Sequence, residues 1–138
     1  ASATEVLKAG TNEFRCTFRS AEFYLTAAEA ALELNDMDNA RHYLTELMKK
    51  RYLAAIYPTY EAEVLAMTQD ELREEIYNER FRELAFEGHR WFDLRRTTRQ
   101  ELTKTYKGET YVLQKDDSRY TLRIPSEAIA ANPGLEEE

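Results

Sequence analysis

Apolar residues recur at helical spacing through most of the chain. Ala21, Tyr24, Leu25, Ala28, Ala31 and Leu32 follow the 3.6-residue period, which predicts a helix over 19–34. Asn35-Asp36 breaks the pattern. It resumes over 38–52, with Ala40, Tyr43, Leu44 and Leu47 inward and Lys49, Lys50 and Arg51 in the last turn. So short a break predicts a two-helix hairpin over 18–52. Its small residues and turn are tetratricopeptide-like (TPR-like), although Asn35 stands where that repeat prefers glycine. The chain holds no second copy, and one unit cannot bury both its faces.

The longest helical pattern runs over 68–96. Thr68 and Glu71 have capping-box spacing, and Asp70, Glu71, Glu74 and Glu75 suit the positive end of a helix dipole. Leu72 and Ile76 open an apolar face, continued by Phe81, Leu84, Ala85, Gly88, Trp91 and Phe92. Gly88 lies in phase with that face. It reads as a kink or a close approach of another backbone, with helix resuming to Arg96.

Between these elements, 53–67 reads as a connection containing Pro58, with a short helical turn near 60–66. Thr97 to Thr105 is polar and ends the central helix loosely. Residues 110–135 read as a β-hairpin and a C-terminal turn. The strands are expected at 110–114 and 118–124 around Lys115-Asp116-Asp117, with Tyr111, Leu113, Tyr120, Leu122 and Ile124 on one face. Pro125 stops the second strand, Ser126 caps a turn over 127–131, and Asn132-Pro133-Gly134 closes it. Near the start, Phe14, Cys16 and Phe18 alternate as a short extended lead-in. The fold class is mainly α: a TPR-like hairpin on a long kinked helix, with a small C-terminal β-hairpin.

Composition narrows the function classes. At 138 residues one domain, or a piece of one, is expected. A net charge of -7 argues against a nucleic-acid partner and against docking on an anionic membrane surface. Cys16 is the only cysteine, so no internal disulfide framework exists. No apolar run is long enough to span a bilayer, and no leader pattern opens the chain. The opening residues read as part of a longer polypeptide, so location stays open.

The charges of the central segment look arranged. Glu79, Glu83 and Glu87 share one helix face and need cations, for which Arg80, Arg82 and Arg90 are the nearest candidates. Asp93 lies three residues from both Arg90 and Arg96. Architecture is the favoured reading of this network over ligand contact. Glu87, His89 and Asp93 lack the spacing of a metal-binding helix, so no metal or other cofactor is expected. His42 stands alone on a helix face. No phosphate loop or nucleophile elbow occurs. Acidic pairs are abundant, but none is singled out as a glycosidase dyad. Tyr52, Tyr57 and Tyr60 cluster around the Pro58 loop. Their rings suit sugar stacking, a protein interface, or closure of the helical core.

The run IYNERFRELAFEGHRWFDLRR resembles a signature of the SusD/RagB family, starch-binding-protein-like outer-membrane lipoproteins. Ile76, Glu79, Arg80, Glu83, Leu84, Glu87, Gly88, Arg90, Asp93, Leu94 and Arg96 fit it, with Trp91 inside the run. RSAEFYLTAAEAALEL resembles a second family motif through Arg19, Ala21, Glu22, Leu25, Ala28, Glu29 and Ala30. RIPSEAIAANPGL resembles the family's closing motif through Ile124, Pro125, Ile129, Asn132 and Pro133. Three departures occur: Ser20 replaces an aromatic, Ala128 replaces a glutamate, and the arginine motif of the second helix is reduced to ELMKKR. The resemblance implies the C-terminal portion of a longer protein that captures glycan at the cell surface. It implies an outer-membrane location, a lipid anchor elsewhere in the polypeptide, a SusC-type TonB-dependent transporter as partner, and no catalysis. The rivals are a TPR-like protein-interaction module and, behind it, an acid-dyad glycosidase.

Overall fold

A computed structural model describes residues 19–135. The lead-in around Phe14, Cys16 and Phe18 lies outside the described residues. The chain divides into two compact units between His89 and Arg90.

In the first unit, α1 (Ser20–Glu33) and α2 (Met37–Met48) form the expected hairpin. Asn35 adopts a left-handed φ of 60°. Its N–H donates to the Leu32 carbonyl and that of Asp36 donates to the Ala31 carbonyl, at 3.0 and 2.8 Å. This pair of bonds is a Schellman ending, and asparagine adopts its left-handed position more readily than most non-glycine residues. Asp36 then caps α2 by accepting from the Asn39 N–H. α2 stops at Met48, so Lys49, Lys50 and Arg51 lie just past it rather than in its last turn.

The segment expected to be mainly loop is a helix, α3 (Tyr57–Ala66). Pro58 sits in its first turn, where a missing N–H costs nothing and the fixed φ favours helix. Next comes α4 (Gln69–Glu83), opened by the capping box: Thr68 and Glu71 each accept the other's backbone N–H. The core draws Leu25, Ala28 and Leu32 from α1, and Ala40, Leu44 and Met48 from α2. Tyr60 and Val64 join from α3, with Leu72 and Ile76 from α4. Each fully buried leucine or isoleucine contributes about 1.5–3 kcal/mol relative to exposure.

The central helix is interrupted rather than bent. α4 ends at Glu83 and α5 (His89–Arg96) begins after five intervening residues, 84–88. Phe86 and Gly88 take left-handed φ values of 67° and 84° between them. Arg19 supplies part of the reason: its Nη1 donates to the Glu83 carbonyl at 3.2 Å, satisfying an acceptor at the helix end. The close-approach reading of Gly88 is overturned among the described residues, where a Cβ there would meet nothing within 4 Å. The glycine serves the backbone conformation. The apolar stripe is also less inward than its spacing implied. Leu84 is buried, whereas Phe81, Phe86 and Phe92 are more than half exposed.

In the second unit the β-hairpin is real but lies one segment upstream of its expected place. β1 (Leu102–Tyr106) pairs antiparallel with β2 (Glu109–Leu113). Lys107 and Gly108 form the two-residue turn, with φ of 49° and 82°. Two successive positive values mark a type I′ turn, whose twist matches that of paired strands. Residues 118–124 form no strand. Ser118–Tyr120 is a 3₁₀ turn capped by Asp117, and only Tyr120 is buried, while Leu122 and Ile124 are exposed. α6 (Ser126–Ala131) follows Pro125 without a side-chain cap, so Ser126 is its first residue and not its capping group. A last 3₁₀ turn is Pro133–Leu135.

Candidate functional site

The three tyrosines singled out from sequence have different surroundings. Tyr60 is buried at the start of α3, and its ring stacks on Tyr52 with centroids 4.6 Å apart and planes 28° apart. Its hydroxyl donates to Glu75 at 3.2 Å. Burial first, and then the Glu75 carboxylate, push the Tyr60 phenol well above its ordinary range. Tyr57 is half-buried. Its hydroxyl lies 2.8 Å from a Glu61 carboxylate oxygen and 3.3 Å from the Thr45 carbonyl, with one proton to give. Burial and Glu61 push this phenol up to about 12. Tyr52 is the most accessible of the three, 37% exposed. The structure therefore brings Tyr52 and Tyr60 together as a stacked pair with one member inside the core.

The carboxylates of the signature run meet arginines, largely from other elements. Glu83 accepts from Arg51, Nε at 2.8 Å and Nη2 at 2.9 Å, and it also pairs with Arg19. Arg19 reaches Glu87 as well. Glu79 is buried and accepts from Arg82 at 2.8 Å, while Arg82 also reaches Glu75 at 2.7 Å. Burial raises the Glu79 carboxyl above its usual range, outweighing Arg82. Arg80 is buried and donates to Thr26 on α1 at 3.2 Å. Arg96 pairs with Asp93 at 2.7 Å.

Arg19 and Arg51 lie outside the central segment, so charge spacing within that segment does not reveal them as partners. The signal was present elsewhere: Arg19 opens one family motif, and Arg51 is the arginine left in the reduced ELMKKR. Among the described residues no group of three His, Cys, Asp or Glu side chains could hold a metal ion. His89 Nδ1 lies 3.8 Å from Glu22. His42 is exposed beside Tyr43.

Trp91 has a structural setting within the second unit. Its ring stacks on Tyr120 at 5.1 Å with planes 8° apart. The Arg99 guanidinium sits 5.7 Å from the Tyr120 ring centroid, and the Tyr120 hydroxyl donates to the Gln100 carbonyl. Tyr120 lies on a 3₁₀ turn and not on the expected strand, and this turn is what brings it to Trp91.

The SusD family model matches residues 3–137. The chain belongs to the SusD family. Over 80 residues, 58% of the chain, it is 40% identical to the SusD-like protein P25 of Formosa agariphila. That match spans 14% of this SusD relative. Within the SusD signature, the carboxylates Glu79, Glu83, Glu87 and Asp93 are engaged by arginines of the same chain.

Proposed function

We propose that this chain is part of a non-catalytic protein that captures oligosaccharide or polysaccharide at the outer-membrane surface. The captured glycan passes to a SusC-type TonB-dependent transporter, and a lipid anchor elsewhere in the polypeptide holds the protein at the membrane. No cofactor takes part. The observation that carries the reading is the family match along nearly the whole chain. The acid-dyad alternative loses ground because Glu79, Glu83 and Glu87 face arginines, which hold carboxylates as ion pairs.

Tyr52, Tyr57 and Tyr60 are proposed as the sugar-facing cluster of this part of the protein. Tyr52 offers the contact area, and Tyr60 fixes its ring by stacking from the core. Tyr57 contributes a half-buried ring whose hydroxyl is held by Glu61 and the Thr45 carbonyl. Aromatic stacking with few charges suits a ligand that must be released again.

The test is oligosaccharide binding by the complete polypeptide, unaltered and as Tyr52→Ala. The expected result is weaker binding in a variant that still folds, its melting temperature lowered only by loss of the stacking contact with Tyr60. Equal affinity would remove these tyrosines from the site and leave the family-level reading standing. A pull-down with the transporter tests the partnership separately.

A further inference from the structure

The β1–β2 hairpin lies wholly in the second unit and carries its chemistry on one face. Strand pairing sets Lys104 opposite Tyr111 and Tyr106 opposite Glu109. Alternation along each strand places all four on the same side of the ribbon, with Tyr106 and Tyr111 as diagonal neighbours. The opposite side holds only threonines and Val112. The two rings are not core residues: Tyr106 is 63% exposed and Tyr111 54%.

Cations sit beside these rings. The Lys107 ammonium lies 5.3 Å from the Tyr106 ring centroid, within cation–π range. Neither Lys104 nor Lys107 makes an ion pair among the described residues. The one acid of the hairpin, Glu109, is engaged: the Tyr111 hydroxyl donates to it at 2.6 Å. Lysine on an open strand edge discourages pairing with another sheet, which accounts for Lys104 alone. It does not account for Lys107, which stands in the turn against an aromatic ring. Two cations against one engaged carboxylate reverse, locally, the sign of a chain whose net charge is -7. Screening over about 8 Å at physiological salt lets that local sign decide at contact.

We propose that this face of the hairpin is a further glycan-binding site, and that it takes an anionic sugar. A pyranose ring lies on Tyr106 and Tyr111, and its carboxylate or sulfate is held by Lys104 and Lys107. The inference rests on the glycan-capture reading and adds to it the charge of the ligand. Exposed tyrosine rings offer the C–H face of a sugar an apolar contact. An ammonium is a compact charge on a flexible stem, suited to either anion.

The test probes the complete polypeptide with an array of uronate-bearing, sulfated and neutral oligosaccharides, then titrates the tightest binder against variants. The expected result is a tightest binder that carries uronate or sulfate, the array showing which, and binding that weakens with added salt. The double variant Lys104→Gln/Lys107→Asn should bind it roughly five- to tenfold more weakly and with less salt dependence. Asparagine tolerates the left-handed φ of 49° at position 107, so the turn is kept. Lys104→Gln alone should give part of the loss, and Tyr106→Ala should weaken binding without altering its salt dependence. A neutral glycan as tightest binder, or an anionic one bound equally by the double variant, would overturn the proposal and leave glycan capture standing. Binding to no glycan would overturn both.

Discussion

Arg51 holds Glu83 through two parallel hydrogen bonds, tying the segment after α2 to the last residue of α4. The partners are unequally placed: the Glu83 side chain is 8% exposed and that of Arg51 41%. Glu83 also serves Arg19, so its loss takes the carboxylate from Arg51 and one of two from Arg19, which keeps Glu87, whereas loss of Arg51 leaves Glu83 with a partner. Glu83→Ala is expected to cost about 2–3 kcal/mol, discounted from a fully buried pair by solvent screening. Arg51→Ala should cost less than about 1 kcal/mol. Urea midpoints of the two variants check the asymmetry, and equal losses would contradict it.

Gly88 tests backbone against packing. Its φ of 84° is unfavourable for any residue with a Cβ, yet no atom of the described residues lies within 4 Å of where that Cβ would be. Gly88→Ala and Gly88→Leu should therefore cost the same, about 1–2 kcal/mol. Gly88→Asn should cost less than either, because asparagine tolerates the left-handed region. A leucine variant much worse than alanine in thermal melts would mean that a neighbour packs there after all.

Tyr60 sets an alkaline limb. In the unfolded chain its phenol titrates near the ordinary 10.0, and in the folded chain burial raises it. Above pH 10 the unfolded state has lost a proton that the folded state keeps, so stability falls as pH rises. Below pH 10 the contribution is complete. Tyr60→Phe should flatten the fall between pH 10 and 11.5 while leaving the part due to Tyr57. Denaturant melts across that range read the slope, and an unchanged slope would place the Tyr60 hydroxyl in water.

The Thr68 cap works at the opposite limb. Backbone and side-chain hydrogen bonds from Thr68 lower the Glu71 carboxyl below its ordinary 4.5. That stabilisation is present above the ordinary value and is lost as pH falls through the folded one. Thr68→Ala should lower the melting temperature by a few degrees at pH 7. The difference from the unaltered protein should shrink steadily below pH 4.5, and a gap that widens with acid would contradict the capping account.

The elements most legible in the sequence were those built from local rules. The α1–α2 hairpin followed from apolar spacing, and the Thr68–Glu71 box from a four-residue pattern. The break after Glu83 was hidden because Leu84, Gly88 and Trp91 keep helical phase through it, while a non-glycine residue, Phe86, takes the left-handed turn. What stops α4 includes Arg19, distant in sequence, and no window of the central segment contains it. Lys115-Asp116-Asp117 is a charged turn signal, but Lys107-Gly108 carries the glycine that a two-residue turn favours, and the hairpin forms there. Pro58 suits a loop and the first turn of a helix alike, and here it opens a helix. At the tyrosine cluster, composition supplied the residues, but only the fold separates a buried Tyr60 from an accessible Tyr52.

The central claim is glycan capture without turnover, and a glycan array probed with the complete polypeptide tests it most directly. Bound oligosaccharide should be eluted and analysed for chain length. The account predicts selective binding to one class of glycan and recovery of that glycan intact. Shortened glycan, or binding to no glycan by a polypeptide that still associates with a protein partner, would contradict it.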